Sequence, residues 1–312
     1  MSIVGTHGEA ETERPPAGTA AAPETPLRRL IADYFESRLA TAAFVLLVTI
    51  VTLALLAPLI VPQNPYNLAE VDVLDSRLPP GTKGMAGYTY WLGTDGAGRD
   101  LVSAMLYGLR ISLAVGVVSC LIATVIGAAV GLIAAYVGGR TESLLMRLVD
   151  LQLSFPAILI ALILIAILGK GVDKIIIALV TVQWAYYART VRGTALAEMS
   201  KDYVEAARCL GLGHARILFK QILPNVLPPL IVVATVQAAH AIALEATLSF
   251  LGVGLPRTEP SLGLLISNGF EYMLSGKYWI SFFPGVVLLA TIMAINLVGD
   301  QLRDVLNPRL KR

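Results

Sequence analysis

The sequence predicts an all-α membrane protein with six membrane-spanning helices. Hydrophobic residues make up 56% of the 312 residues, charged residues only 15%, and the mean hydropathy is +0.71. Soluble domains carry about 25% charged residues, so this composition suits a bilayer rather than water. A membrane helix needs about 20 mainly apolar residues. Six stretches meet that requirement, at residues 40–61, 111–137, 148–168, 174–190, 225–248 and 280–299.

The chain divides into three regions. Residues 1–27 are rich in Ala, Pro, Thr and Glu and cannot bury enough apolar surface to fold, so we expect a disordered cytosolic tail. This tail lacks the pattern of an export signal, because the first apolar run starts only near Ala40. Residues 28–110 hold the first span and a long external loop. Residues 111–312 hold the other five spans and a cytosolic loop.

The span at residues 174–190 is the weakest of the six. It contains Gln183, Trp184, Tyr186 and Tyr187, which indicate a tilted helix, an interfacial position or a helix turned toward a polar interior.

Orientation follows from the positive charges. With the N-terminus inside, sixteen of the 24 Lys and Arg residues lie in cytosolic segments. Because positively charged loops stay in the cytosol, we expect both termini and the loop around Glu205 to face the cytosol.

A short polar helix is predicted in that loop. Asp202 can cap its first turn while Glu205 reaches back, and Gly211 provides a natural stop. The paired alanines leave its surface shallow enough for another protein's backbone to approach. These features indicate a docking element, and the alternative is an amphipathic loop helix without a partner. The candidate docking residues are Asp202, Tyr203, Glu205, Ala206, Ala207, Gly211 and Pro224.

A second motif, LGTDGAGRD, closes the external loop at residues 92–100. Thr94 or Asp95 can satisfy nearby amides, and Gly96 and Gly98 can take positive φ. Asp95, Arg99 and Asp100 can tie the turn by charge-assisted hydrogen bonds. The simpler interpretation is a capped turn leading into the second span, since the motif lacks the Gly-Lys-Ser/Thr ending of a phosphate loop. Its candidate residues are Gly93, Thr94, Asp95, Gly98, Arg99 and Asp100.

Six motifs occur in a recognisable order along the chain. They are LGTDGAGRD, YGLRISL at 107–113, DYVEAARCLGLG at 202–213, ILPNVLPPLIV from Ile222, LSFLGVGLP at 248–256 and GDQLRDVLNPR at 299–309. In this order they resemble the C-type permease subunit of dipeptide and oligopeptide ABC importers. The resemblance runs from about residue 28 to the end of the sequence. One position departs from the family: Gln221 stands where an aliphatic residue is usual, which indicates a shifted register for the following helix.

The resemblance implies a type I ABC importer permease in the bacterial inner membrane. Its implied partners are a homologous B-type permease, two cytosolic ATPase subunits and an extracytoplasmic substrate-binding protein. The segment around Glu205 would be the "EAA" loop that docks into the ATPase, and ATP and magnesium would be bound by the ATPase subunits. The implied cargo is dipeptides or oligopeptides, and the wider family also carries haem and nickel chelates.

The chain's own chemistry agrees with a non-catalytic subunit. Gly169-Lys170-Gly171 lacks both the upstream glycine and the Ser/Thr of a phosphate loop. The three histidines show no triad or metal spacing, and the two cysteines predict neither a disulfide nor a metal site. We therefore expect no catalysis, cofactor or metal in this chain.

Ionisable residues within spans point to a pathway. Glu245 either lines the pathway mouth where the binding protein docks, or pairs with a backbone group or cation. Gly252 and Gly254 end the fifth span in a loop that faces the binding protein or merely terminates the helix. We interpret His240 as a hydrogen-bonded interior histidine. Two other function classes remain open, a secondary transporter and a non-transporting membrane scaffold.

Overall fold

The computed structural model describes residues 26–306 except 68, 86, 257 and 260. The helices are α1 (Pro26–Phe35), α2 (Arg38–Leu55), α3 (Ala57–Ile60), α4 (Leu101–Val137), α5 (Gly139–Ser154), α6 (Ala157–Leu168), α7 (Val172–Met199), α8 (Asp202–Cys209), α9 (His214–Ile217), α10 (Leu223–Phe250), α11 (Leu262–Phe270) and α12 (Trp279–Leu306). Short 3₁₀ turns lie at Val73–Asp75 and Met273–Ser275, and a π turn at Leu218–Ile222. The strands β1 (Thr82–Lys83) and β2 (Thr89–Tyr90) pair antiparallel, with Thr82 opposite Tyr90. The all-α prediction is confirmed.

The first helix starts inside the predicted tail. Pro26 opens α1, which includes the last two residues of the predicted tail, and residues 1–25 lie outside the described residues. Proline suits the first turn of a helix because its missing N–H would have no partner there anyway. Ser37 then caps α2 by accepting a hydrogen bond of 3.3 Å from the Ala40 amide.

Four of the predicted spans have clear counterparts. Within the described residues, α2, α4, α12 and the helical run ending in α10 are long and apolar enough to cross a membrane. The pair α5 and α6 adds a fifth only if it is taken as one broken span. The helix over 174–190, α7, has 28 residues but falls outside this apolar set. The structure thus supports four or five spans by length and composition.

The predicted span at 148–168 is not one straight helix. It breaks between Ser154 and Ala157, and α5 and α6 meet at 90°. Proline disfavours helical backbone in the preceding residue and offers no amide to the helix. Phe155 accordingly has extended backbone, with φ −94° and ψ 142°, directly before Pro156.

The second span is longer than predicted. Helix α4 has 37 residues and begins at Leu101, ten residues before the predicted start. It packs along α7, and glycines permit the close approach. A Cβ on Gly131 would lie 2.5 Å from the Ala188 carbonyl oxygen, and Gly127 lies equally tightly against the backbone of Trp184. The small-residue spacing of these glycines therefore serves helix packing within the chain.

Buried apolar side chains form layers along the bundle. One cluster joins α4, α7, the first half of α10 and the segment at residues 200–222 that contains α8 and α9. We call this segment the α8 loop. A second joins α2, α4, α11 and α12, and a third joins α4, α6, α7 and the second half of α10. The first layer holds the α8 loop against the spanning helices.

Candidate functional site

The predicted docking helix exists as α8, directly after α7. Its N-cap is Lys201, whose side chain makes no capping bond. The Lys201 carbonyl accepts hydrogen bonds from the amides of Val204 at 3.0 Å and Glu205 at 3.4 Å. The predicted capping by Asp202 and Glu205 is therefore wrong. Both carboxylates lie in the first turn of α8, where their negative charge interacts favourably with the positive end of the helix dipole.

Gly211 ends α8 as predicted. Its φ is +69°, a left-handed conformation that glycine adopts without strain. The Gly211 amide donates to the Arg208 carbonyl at 2.9 Å, and the Leu212 amide donates to the Ala207 carbonyl at 3.2 Å. This pair of bonds is a Schellman motif, which satisfies the last carbonyls of the helix and turns the chain toward α9.

The two sides of α8 have different environments. Val204 is 0% exposed and Ala207 5% exposed, and both pack into the cluster that includes Val191 of α7. The opposite side is exposed; we call it the outer face of α8, formed by Asp202, Glu205, Ala206 and Cys209. The prediction that both alanines meet a partner is therefore wrong. Ala207 anchors α8 to its own chain, and only Ala206 lies on the surface.

A polar network, which the sequence did not reveal, fixes the base of the loop. Glu198 of α7 accepts hydrogen bonds from Lys201 Nζ at 2.6 Å and Tyr203 Oη at 2.8 Å. Asn225 of α10 donates to the Tyr203 oxygen at 3.1 Å and to the Gln221 carbonyl at 2.8 Å. Tyr203 thus links three helices.

Two pKa shifts accompany this network. Burial would raise the pKa of the Glu198 carboxyl, but the hydrogen bonds from Lys201 and Tyr203 outweigh burial and lower it. Burial and the neighbouring Glu198 both raise the pKa of the Tyr203 phenol. Glu198 therefore stays an ionised acceptor and Tyr203 stays a donor at neutral pH.

The return into the membrane passes through the π turn. Pro224 is exposed in the first turn of α10, where a proline is well tolerated. In a π turn each backbone hydrogen bond joins residues five positions apart, one more than in an α-helix. The extra residue shifts the register of the side chains that follow. Gln221 lies within this turn. Its departure from the family pattern predicts a shifted register for the following helix, and the π turn is found at that position.

The turn at residues 92–100, which is predicted to be external, is a buried structural unit around Asp95. Its Oδ1 accepts from the amides of Ala97 at 2.9 Å and Arg99 at 3.0 Å, and its Oδ2 lies 2.7 Å from the Arg99 guanidinium. Asp95 is 1% exposed and Arg99 5% exposed. The predicted charge-assisted tie is confirmed for this pair.

Thr94 satisfies a nearby amide as predicted, since its hydroxyl oxygen accepts from the Leu78 amide at 2.7 Å, whereas Asp100 has a different partner from the one predicted. Asp100 does not bond Arg99; it caps α4 by accepting from the Ser103 amide at 2.8 Å and hydroxyl at 2.6 Å. Burial raises the Asp100 pKa, although these bonds oppose the effect. The buried Thr94 hydroxyl donates to the Asp75 carbonyl at 2.5 Å.

Two glycines give the turn its shape. Gly93 and Gly98 have φ values of +83° and +87°, whereas Gly96 is not among the residues with positive φ, contrary to prediction. A Cβ on Gly98 would collide with the Asp72 carbonyl. The motif therefore folds as the capped turn of the simpler interpretation.

Glu245 is 0% exposed in the chain. Its carboxylate accepts hydrogen bonds of 2.8 Å from the hydroxyls of Ser112 in α4 and Ser249 in α10. Among the described residues its partners are serine hydroxyls rather than the predicted cation or backbone group, and its side chain is buried within the chain. Glu245 instead ties α4 to α10 inside the bundle.

The remaining candidates differ in exposure. Gly252 is exposed with φ +75°, and Lys170 Nζ donates to its carbonyl at 2.5 Å. Gly254 is buried against the backbone of Ser249. His240 is exposed on α10, so its interpretation as an interior histidine is wrong. Within the described part of the chain, no three His, Cys, Asp or Glu side chains come together as metal ligands.

These features define a class of protein. Long apolar helices form a multi-pass bundle, and a rigidly anchored polar helix projects an exposed face beside it. That combination is typical of the membrane subunit of a multi-component transporter.

Comparison with known families identifies the class more closely. Residues 127–312 match the family described as binding-protein-dependent transport system inner membrane component. Residues 25–80 match the N-terminal transmembrane domain of oligopeptide transport permease C. The chain belongs to the family of binding-protein-dependent transport system inner membrane components. It is a non-catalytic permease subunit of an ABC importer in the bacterial inner membrane.

Individual relatives and a solved structure agree with this family assignment. The chain is 35% identical to the dipeptide transport system permease protein DppC of Haemophilus influenzae, over 93% of this chain and 97% of that protein. It is 42% identical to a putative peptide transport system permease protein of Brucella suis, over 86% of each. A MetNI methionine ABC transporter in an inward-facing conformation shares the fold, with a TM-score of 0.55 and 24% identity over 65% of this chain and 96% of that chain.

Proposed function

We propose that this permease carries dipeptides or oligopeptides into the cell, using ATP that is hydrolysed by partner subunits. The relatives named for dipeptide and peptide transport align along nearly their whole length, which supports peptides as the cargo. Haem or nickel chelates are the alternative cargo within the wider family.

The main support for coupling to an ATPase is the exposed outer face of α8. Its inner side is buried in the bundle, and the Schellman turn and the Tyr203 network fix its two ends. A helix held in this way moves together with α7 and α10. A force applied to its outer face by an ATPase subunit would therefore reach the spanning helices directly.

The chemistry of the outer face suits a protein partner. Ala206 leaves a shallow surface between the carboxylates of Asp202 and Glu205, and Leu210, 79% exposed, adds an apolar contact beside them. We propose that a groove on the ATPase receives this face. Gly211 ends α8 and Pro224 lies in the first turn of α10, so these two docking candidates shape the loop that presents the outer face.

Other subunits complete the proposed transporter. A homologous B-type permease would supply the other half of the pathway, and two ATPase subunits would bind ATP and magnesium. A substrate-binding protein would dock at the opposite end of the bundle, where Gly252 is exposed. The buried Gly254 would support that loop from within.

Uptake measurements test the proposed cargo. Proteoliposomes containing both permeases and the ATPases, with internal ATP and external binding protein, should accumulate labelled dipeptide or tripeptide. Vesicles prepared without this chain are the control. Uptake of haem or a nickel chelate without any uptake of peptides would refute the peptide assignment while preserving the importer.

A further inference from the structure

An apolar groove lies on the surface between α2 and α4. Its volume is about 590 Å³. The groove opens away from the bundle, since Leu55 is 67% exposed and Val117 50% exposed. Its apolar walls come from α2, α4 and the first residue of α7, and include Leu55, Ala114, Val117 and Val172.

One end of the groove is polar. Arg110 lines it together with Tyr66 and Tyr107. The Arg110 guanidinium carbon lies 5.6 Å from the Tyr107 ring centre, and the Tyr66 ring meets the Tyr107 ring edge-on at 5.2 Å. Arg110 is exposed and takes part in none of the ion pairs formed between described residues. A permanent positive charge is therefore held at this end without a direct ion pair among the described residues, and Glu259 is the carboxylate whose charge reaches the neighbouring Tyr66.

Tyr66 adds a hydrogen-bond donor beside this charge. Burial, assisted by Glu259, raises the pKa of the Tyr66 phenol to about 12, although Arg110 opposes the shift. The phenol therefore keeps its proton at neutral pH. A guanidinium and a protonated phenol together suit an anion with several acceptor oxygens.

The length of the groove fits one leaflet of a bilayer. From Arg110 to Val118, α4 advances eight residues, or about 12 Å. One leaflet contributes about half of a hydrocarbon core that is about 30 Å thick. Tyrosine is common where membrane and water meet, an arginine near a helix end extends toward that interface, and Tyr66 belongs to the loop predicted to be external. The polar end therefore lies at the level of the lipid headgroups.

We propose that this groove binds an anionic phospholipid of the outer leaflet, with its phosphate on Arg110 and Tyr66 and an acyl chain along α4. A guanidinium recognises phosphate through paired hydrogen bonds. An apolar helix from another subunit would instead bury the Arg110 charge without a partner, which is unfavourable. The Arg110 charge and the position of the polar end at the level of the lipid headgroups thus favour a lipid over a protein occupant.

Native mass spectrometry of the full chain tests this assignment. The chain would be released from nanodiscs made of equal amounts of phosphatidylglycerol and phosphatidylcholine, and the retained lipids counted. Arg110→Gln should reduce retained phosphatidylglycerol about tenfold, because it removes charge-assisted hydrogen bonds. Arg110→Lys should restore part of the retention. Ala114→Trp should also displace the lipid by filling the groove.

Arg77→Gln is the matched control, since Arg77 is another exposed external arginine and stacks on Tyr272 away from the groove. It should retain lipid like the unmodified chain. Equal retention in Arg110→Gln and the unmodified chain would overturn the proposal, as would equal losses in both arginine variants. If Ala114→Trp kept the lipid but no longer copurified with a co-expressed homologous permease, the groove would hold a protein helix instead.

Discussion

Replacing Ala206 with tryptophan separates docking from folding. Ala206 is exposed on α8, so the larger side chain meets no part of its own chain. Exposed substitutions of this kind change the free energy of unfolding by about 0.5 kcal/mol or less. The variant should insert into the membrane and unfold at nearly the same temperature as the unmodified chain.

At a close-packed interface the same change has a large effect. Overpacking costs about 1–3 kcal/mol, and each 1.4 kcal/mol is about tenfold in affinity. Ala206→Trp should therefore weaken binding of the ATPase subunit about 5- to 150-fold. The measurement is a titration of purified ATPase onto the permease pair in nanodiscs, followed by ATP hydrolysis stimulated by the binding protein.

The matched control is Ala197→Trp, at an exposed alanine near the end of α7 and outside the outer face of α8. It should bind the ATPase normally. Ala207→Trp is unsuitable as a docking test, because Ala207 is 5% exposed and the added volume would disrupt the chain's own core. Unchanged affinity in Ala206→Trp would refute the docking role of the outer face.

Three further predictions concern the membrane topology, the buried Asp95–Arg99 pair and the glycine that ends α8. In intact cells, an impermeant thiol reagent should label Lys83→Cys in the external hairpin but leave the native, exposed Cys209 unlabelled; the opposite pattern would invert the topology. Asp95→Ala should lower the free energy of unfolding by about 3–5 kcal/mol, because it leaves the Arg99 charge buried and unpaired; a thermal unfolding midpoint equal to that of the unmodified chain would contradict this. Gly211→Ala should cost about 1–2 kcal/mol, since alanine is strained at φ +69°, and proteolysis in the α8 loop should accelerate; unchanged cleavage would argue against the Schellman stop.

The long apolar runs and the glycine positions carry most of what the sequence predicts. Apolar runs of span length mark α2, α4, α10 and α12 because the bilayer requires them. Gly211 marks a helix end because few other residues adopt its backbone conformation. The Asp95 and Arg99 pair was predictable because both residues lie in one short turn.

The features that sequence reasoning missed depend on distant parts of the chain. Which of two adjacent alanines faces the core depends on how α8 rotates against α7, and a sequence does not fix that rotation. Tyr203 meets Asn225 from 22 residues away. Glu245 finds its serine partner on α4, 133 residues earlier. The break before Pro156, in contrast, had a local signal that the apolar content of the segment obscured.

Reconstitution in liposomes distinguishes one subunit of a transporter from a transporter that works alone. The purified chain alone, and the chain with its homologous permease, ATPase subunits and binding protein, would be placed in liposomes with internal ATP and magnesium and with labelled peptide outside. Peptide should accumulate, and ATP should be hydrolysed, only in the complete assembly. Accumulation of peptide by the single chain would contradict this prediction and would make a secondary transporter the better explanation.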